Sequence, residues 1–435
     1  MTTTDFHLTG HYAPVHDELT AYDLPVTGTL PPELTGWYLR NGPNPRQDNS
    51  HWFTGDGMVH GVRLEHGRAA WYRNRWVRTE SFDRPDRLLY HEDGSRNLRA
   101  SVANTHVVNH AGRTLALVES SLPYEISREL DTVGVYDFDG ALADSMTAHP
   151  KICPETGELH FFGYGSITAP HVSYYRADAS GKLVVRQPID VPGLTMMHDF
   201  ALTRANVVFF DLPVVFDRTM ADEGMPYRWS DSYGARLGLL RRDDPAAGVR
   251  WLSVDPCYVF HTLNAHDTPD GRIVLHVVRY DHMFRPGRPT PDGQLWRWTI
   301  DPAAGTVTED RLDERSGEFP RIDDRLAGLD ARFGHLTGSA DAAGRIALRR
   351  HDLHTGATTE HRFARGQVPG EAAFVPADGT PGGAGWLLSY VYDAAEDRSD
   401  LVVLDAQDVA AAPVATVHLP ARVPAGFHGN WLPEG

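Results

Sequence analysis

NHAGRTLALVE, Asn109–Glu119, and PETGELHFFGY, Pro154–Tyr164, are the stretches whose reading decides the fold. In each, a glycine (Gly112, Gly157) separates a short turn from a run rich in β-branched and aromatic residues. Glycine accepts the positive φ that a tight hairpin turn demands, and the run beyond it suits a pleated strand. The same device recurs at Gly67, Gly181, Gly271, Gly305, Gly344 and between Gly382 and Gly385. Helical periodicity is weak throughout, and 40 Gly and 30 Pro leave no room for long helices. Gly67, Gly112 and Gly157 stand 45 residues apart, and Gly305 and Gly344 stand 39 apart. A hairpin recurring at about 40–45 residues is the mark of a β-propeller blade. A β-sandwich or a tandem of small β domains is the alternative. With no Pro/Gly/Ser linker to cut the chain, the expectation is one all-β domain over residues 1–435, its insertions gathered on one face. The polar stretch Arg218–Pro245 reads as such an insertion, with Leu237, Leu239 and Leu240 its only apolar cluster.

Composition removes several function classes. Against 41 Lys and Arg stand 58 Asp and Glu, a net charge of −17. Nucleic acid and anionic lipid both need a basic face, so neither is an expected partner. Two cysteines, Cys153 and Cys257, cannot build a disulfide scaffold or a Cys-rich zinc module. The first residues, MTTTDFHLTGHY, carry neither the basic nor the apolar region of a secretory leader, and no run spans a bilayer. The expectation is a cytoplasmic protein with reduced thiols and at most a weak peripheral membrane contact. No oligomeric state follows from the sequence.

Histidine is abundant where cysteine is scarce: 23 His in all. Metal ligands on a propeller axis come singly from separate blades, so local motifs such as HExxH are neither expected nor present. Context singles out four histidines: His149 in SMTAHPKICPETGEL, His198 in LTMMHDFALT, His261 in CYVFHTLNAHD and His428 in AGFHGNWLP. Each sits among apolar or small residues, where an imidazole needs a partner. Taken singly, each is more often a structural histidine; together they suggest one shared ligand.

These segments resemble the carotenoid cleavage oxygenase family. The resemblance runs through LTGWYLRNGPNP (Leu34–Pro45), HWFTGDGMVHG (His51–Gly61), ESSLPYEISRELDTVGVYDFDG (Glu119–Gly140), AHPK, MHDF, FHTLNA, GEFPRID (Gly317–Asp323), GEAAFVP (Gly370–Pro376) and GFHG, nine motifs in order. It implies a seven-bladed β-propeller in which His149, His198, His261 and His428 bind Fe(II). It places Glu119, Glu318 and Glu371 behind three of those ligands, where a carboxylate fixes the imidazole tautomer and raises its basicity. His266 stands where the family motif usually has an aromatic residue; the order of FHTLNA makes His261 the ligand. His51, His60, His106 and His110 match no ligand and read as structural or pocket-lining.

The implied reaction is a dioxygenase reaction, the oxidative scission of a conjugated C=C bond by O2 to two carbonyl products. The alkene supplies the electrons, so no NAD, flavin or 2-oxo acid is needed, and the chain has no GxGxxG and no P-loop. An apolar tunnel is expected, with Phe53, Tyr124, Phe162, Phe260, Phe319 and Trp431 as candidate walls. Stilbene-cleaving members resemble one another in a lysine just before the first glutamate, where it meets a phenolate. Here that position is Val118. The expected substrate is therefore a carotenoid or apocarotenoid, with a stilbene or phenylpropenoid of the resveratrol or isoeugenol type as the alternative. Two other classes compete: a metal-dependent propeller hydrolase and a metal-free interaction propeller. Four separated histidines argue against the first, since such hydrolases favour oxygen ligands.

Overall fold

The computed structural model describes residues 6–46, 52–84, 91, 96–217, 219–220 and 225–434. Antiparallel sheets follow one another around a ring. Blade 1 is built on strands Gly36–Pro43, Gly57–Glu65 and Arg68–Trp76, blade 2 on His106–Val135 and blade 3 on Lys151–Ile189. Blade 4 takes Phe200–Leu202, Asn206–Asp211, Arg236–Arg241 and Val249–Ser253. The 16-residue strand Thr306–Arg321 joins two blades: it pairs with Gln294–Asp301 as the outer strand of blade 5, then with Phe333–Gly338 as the inner strand of blade 6. Blade 7 runs from Gln367 to His418. The ring closes twice. Gly429–Pro433 pairs with Gly36–Pro43 as the innermost strand of blade 1, and Val26–Gly28 pairs with Ala415–His418 at the outside of blade 7. The fold is a seven-bladed all-β propeller.

The apolar core lies between blades. Phe161 packs with Leu115 and Tyr175 toward blade 2, while its neighbour Phe162 packs with Phe200 and Phe209 toward blade 4. Successive strand residues face opposite sides. A blade's central strand is covered on both faces, so Leu159–Tyr164 is buried throughout and shows no polar alternation. The outer strand Leu183–Ile189 does alternate, because one of its faces meets solvent.

The eight glycine turns are all present, each with positive φ at its first or only glycine, from +68° at Gly157 to +88° at Gly181. Their spacing carries less than the sequence suggests. Gly112 and Gly157 both join the first and second strands of their blades, so that interval is a blade repeat. Gly67 joins strands further out in blade 1, and Gly305 and Gly344 occupy different turns of blades 5 and 6. In blade 4 the corresponding turn, Thr203–Ala205, has no glycine; Asp267 accepts from Thr203 Oγ1, Ala205 N and Asn206 Nδ2 instead.

The insertion is also corrected. Residues 236–241 form a strand of blade 4, with Leu237 and Leu240 fully buried and Leu239 nearly so. The excursion lies between Asp211 and Arg236 and includes the ribbon Val214–Phe216 with Tyr227–Trp229. Arg218 and residues 221–224 lie outside the described residues. The three leucines are therefore core and offer no membrane anchor. Among the described residues, no helix is long and apolar enough to cross a membrane.

Phe162, expected as a tunnel wall, has 0% exposure. Tyr124 is likewise buried; its hydroxyl donates to Arg99 O and accepts from Glu80 N. Phe162→Ala removes a ring packed on two others, so it should lower stability by about 3–5 kcal/mol. A falling urea midpoint with an unchanged slope would register that loss.

Candidate metal centre

Each blade's innermost strand brings one chemical group to the axis. His428 precedes Gly429–Pro433, His106 opens His106–His110, His149 precedes Lys151–Ile152 and His198 precedes Phe200–Leu202. His261 lies within Tyr258–Asp267, Glu318 at the blade 6 end of Thr306–Arg321, and Glu371 between Gln367–Pro369 and Ala373–Pro376. The strands break register at these points. Pairing shifts across Val259 to Thr262 and across Glu318 to Arg321, and blade 7's inner strand is interrupted at residues 370–372. Such bulges re-aim a side chain out of the pleat. Beside Glu318, Phe319 takes φ +53°, and its N–H donates to the Glu318 carboxylate at 2.6 Å. Pro150 disfavours the helical region for His149.

The four imidazoles converge. One ring nitrogen from each of His149, His198, His261 and His428 lies within 4.8 Å of all the others. His149 Nε2 and His198 Nε2 are 2.9 Å apart. The far nitrogens meet carboxylates: His198 Nδ1 is 2.5 Å from Glu119, His261 Nδ1 2.7 Å from Glu318 and His428 Nδ1 3.0 Å from Glu371. The carboxylates are themselves held. Tyr164 faces Glu119, the Tyr280 hydroxyl donates to Glu318 at 2.7 Å, and Glu371 accepts from Arg321 and from Gly429 N–H. Burial pushes all three carboxyl pKa values up, but the facing histidines, the nearby arginines at Glu119 and Glu371, and hydrogen bonds outweigh it. Glu119, Glu318 and Glu371 therefore lie below the ordinary range, Glu371 most of all because of Arg321. Burial and the neighbouring imidazoles drive His149 far below its usual value, which keeps it neutral. For His261, burial lowers the pKa, but Glu318 more than reverses it.

The donor set fits a metal ion. A carboxylate at Nδ1 fixes the proton there and leaves Nε2 as a bare lone pair. His198 Nε2 is one such lone pair and lies 2.9 Å from His149 Nε2, and His261 Nε2 is another, buried with no hydrogen-bond partner. Converging lone pairs repel unless something electron-poor sits between them. A soft-to-borderline cation such as iron, copper, nickel or zinc satisfies all four.

Of the candidate walls, Phe260 and Phe319 touch the cluster. The Phe260 ring lies 5.2 Å from His198, and Phe319 lies 5.9 Å from His261 and 5.5 Å from His428. Phe53 is 38% exposed and stacks on Phe427, which is next to His428. Phe427 was not singled out by sequence, although it immediately precedes a candidate ligand. Trp431 lines a cavity of about 500 Å³ that reaches the cluster itself, with His149, His261 and His428 in its wall beside His106, Lys151 and Arg321. Phe260 and Phe427 immediately precede His261 and His428, and residues that line the cavity follow His149, His198, His261 and His428. The cluster thus has Phe260, Phe319 and Phe427 against it and a cavity of mixed polar and apolar lining opening from it. His60 bonds Tyr72 and His110 bonds Gly157 O, so both are structural; His266 lies by Asp330, and His51 falls outside the described residues.

Sequence reasoning missed the polar groups beneath the cluster. Lys151 pairs with Asp199 at 2.9 Å, and Asp199 accepts from Thr262 N–H and Oγ1. Their signal is position: Lys151, Asp199, Thr262 and Asn430 each stand one or two residues past a candidate ligand.

Residues 12–433 match the family described as retinal pigment epithelial membrane protein. A carotenoid cleavage oxygenase of Mycobacterium tuberculosis is 40% identical, with 98% of this chain and 97% of that protein covered. An isoeugenol monooxygenase of Pseudomonas nitroreducens is 32% identical over 99% of this chain and 98% of its own. Among solved structures, the lignostilbene dioxygenase of Pseudomonas brassicacearum superposes with a TM-score of 0.89 at 30% identity, covering 98% of both chains.

Glu371→Gln keeps the shape but loses the charge that Arg321 and His428 both use. Metal affinity should fall about 10–100-fold by competition against a chelator. The same variant tests pH linkage in the metal-free protein. Because the folded Glu371 pKa lies below its ordinary 4.5, its stabilisation is complete above that value and is lost as pH falls. The variant's stability should therefore change less than wild type on acidification below pH 4.5 in urea titrations.

Proposed function

The chain belongs to the carotenoid cleavage oxygenase family and is an oxygenase, and on that premise we propose that His149, His198, His261 and His428 bind Fe(II) for O2-dependent cleavage of a carotenoid or apocarotenoid double bond. The observation that carries this reading is the convergence of four imidazole nitrogens, three of them backed by carboxylates. Fe(II) bound there supplies the redox chemistry by which O2 cuts an electron-rich alkene. The atoms balance without a further reductant: one C=C bond and one O2 give two C=O groups. NAD, flavin and 2-oxo acid therefore have no step to serve.

The protein's own part is to hold, place and exclude. Glu119, Glu318 and Glu371 keep the protons on the outer nitrogens, so the inner lone pairs stay available. Phe260, Phe319 and Phe427 put an apolar surface on one side of the cluster, suited to a polyene and hostile to water. Residues 1–435 act as one domain in this account, which the double ring closure supports.

Val118 supports a polyene over a phenol. It is buried beside Glu119 and gives a phenolate no cation. Likeness to a lignostilbene dioxygenase and an isoeugenol monooxygenase keeps the aryl alkene as the second reading. A hydrolase has no support: among the described residues, the potential metal-ligand group consists of histidines, without a carboxylate in it.

Iron-loaded protein, incubated in air with an apocarotenal, a carotenoid, resveratrol and isoeugenol, should yield aldehydes from the polyenes, read by mass spectrometry. Cleavage of the phenolic alkenes alone would reverse the substrate assignment. His261→Ala should abolish both iron binding and product; retention of both would overturn the ligand assignment.

A further inference from the structure

His149 differs from the other three candidate ligands. Among the described residues it has no carboxylate partner, yet it stands at the centre of the cluster, with ring centroids 4.5 Å from His428, 4.6 Å from His198 and 4.9 Å from His261. Its orientation must be set some other way.

A chain of hydrogen bonds leads to it from the opposite blades. Arg321 of blade 6 donates to Glu371 of blade 7 at 3.0 Å, to Gly429 O at 2.6 Å and to Asn430 Oδ1 at 2.7 Å. With its oxygen so engaged, the Asn430 amide turns its NH2 to Val107 O at 2.9 Å and to His106 Nε2 at 3.2 Å. His106 Nδ1 lies 2.8 Å from Ala148 O. A carbonyl only accepts, so Nδ1 carries the proton and Nε2 is the acceptor for Asn430. Every donor and acceptor in the chain is thereby determined, with a single consistent orientation. The chain ends on the peptide that joins Ala148 to His149. The other side of that peptide is also fixed, since His149 N–H donates to Thr147 Oγ1, which in turn donates to His198 O.

His106 is itself an imidazole beside the cluster, 5.2 Å from His428 and 5.9 Å from His149 between ring centroids. Both of its nitrogens are committed to other partners, so it is not a fifth ligand. We propose that His106, oriented by Asn430, is a positioning residue that sets His149 for metal binding by holding the Ala148 carbonyl. The inference rests on the reading of the four imidazoles as a metal site.

Two substitutions at His106 separate hydrogen bonding from packing. His106→Leu fills most of the space but offers Ala148 O no donor. His106→Asn also loses the ring but puts an amide N–H near the place of Nδ1. Co(II) titration of the metal-free proteins against a chelator reads affinity, and the visible Co(II) spectrum reads ligand geometry. The expected result is a roughly 10–100-fold loss of affinity with an altered spectrum in His106→Leu, and near wild-type behaviour in His106→Asn. Asn430→Ala leaves the imidazole in place but frees it, and should weaken binding in the same direction; it carries the test should His106→Leu not fold. Thermal midpoints of the metal-free variants report the packing loss separately. Equal affinity losses in His106→Leu and His106→Asn, or wild-type affinity in both His106→Leu and Asn430→Ala, would overturn the proposal. Failure of the unmodified protein to bind Co(II) would instead overturn the metal reading beneath it.

Discussion

Four imidazoles converge on one point, three of them with a carboxylate at the outer nitrogen, and the structure is organised to keep them there. Two of the nitrogens stand 2.9 Å apart, and a third is buried without a partner. In water such groups would separate or take up protons. Here Glu119, Glu318 and Glu371 occupy the opposite nitrogens, and burial makes protonation of His149 unfavourable. A divalent cation held there would be coordinated by the inner nitrogens, and the three carboxylates would offset its charge in a low-dielectric interior. Burying three anions is costly unless each is hydrogen-bonded. Tyr280 and Arg321 hydrogen-bond Glu318 and Glu371, and Tyr164 faces Glu119, which ties the cluster to residues beyond the four imidazoles.

The propeller suits this task because it supplies inner strands from different directions at one level. No single strand could present four imidazoles to one point. The candidate ligands come from blades 1, 3, 4 and 5, while blades 6 and 7 give carboxylates and blade 2 gives His106. The strands depart from regular pairing where these side chains turn inward, at Val259 to Thr262, Glu318 to Arg321 and residues 370–372. Below that level, Lys151, Asp199, Thr262, Arg321, Asn430 and His106 connect neighbouring blades through polar contacts. The apolar cores between blades give the ring its stability, and the polar contacts at its centre give the site its geometry.

The histidines and their glutamates were legible because each sits in a motif whose neighbours are apolar or small. Turn glycines were legible for a local reason, since only positive φ explains them. Period was less legible: Gly67 and Gly112 are 45 residues apart but join different strands of their blades. Phe162 and Tyr124 looked like pocket walls because an aromatic residue near a motif has the same appearance whether it faces a cavity or a neighbouring blade. Leu237, Leu239 and Leu240 looked like an isolated cluster because their partners, such as Leu252 and Phe209, are distant in sequence or in another strand. Phe427 and the chain from Arg321 to His106 needed three-dimensional placement, since their partners lie as far apart as residues 106 and 430.

The central claim is that four imidazoles share one metal ion. X-ray absorption on anaerobically iron-loaded protein tests it most directly, together with iron quantitation per chain. The account predicts one Fe(II) per chain with four imidazole nitrogens in its coordination sphere. Substoichiometric iron, or a sphere containing carboxylate oxygens in place of imidazoles, would contradict it.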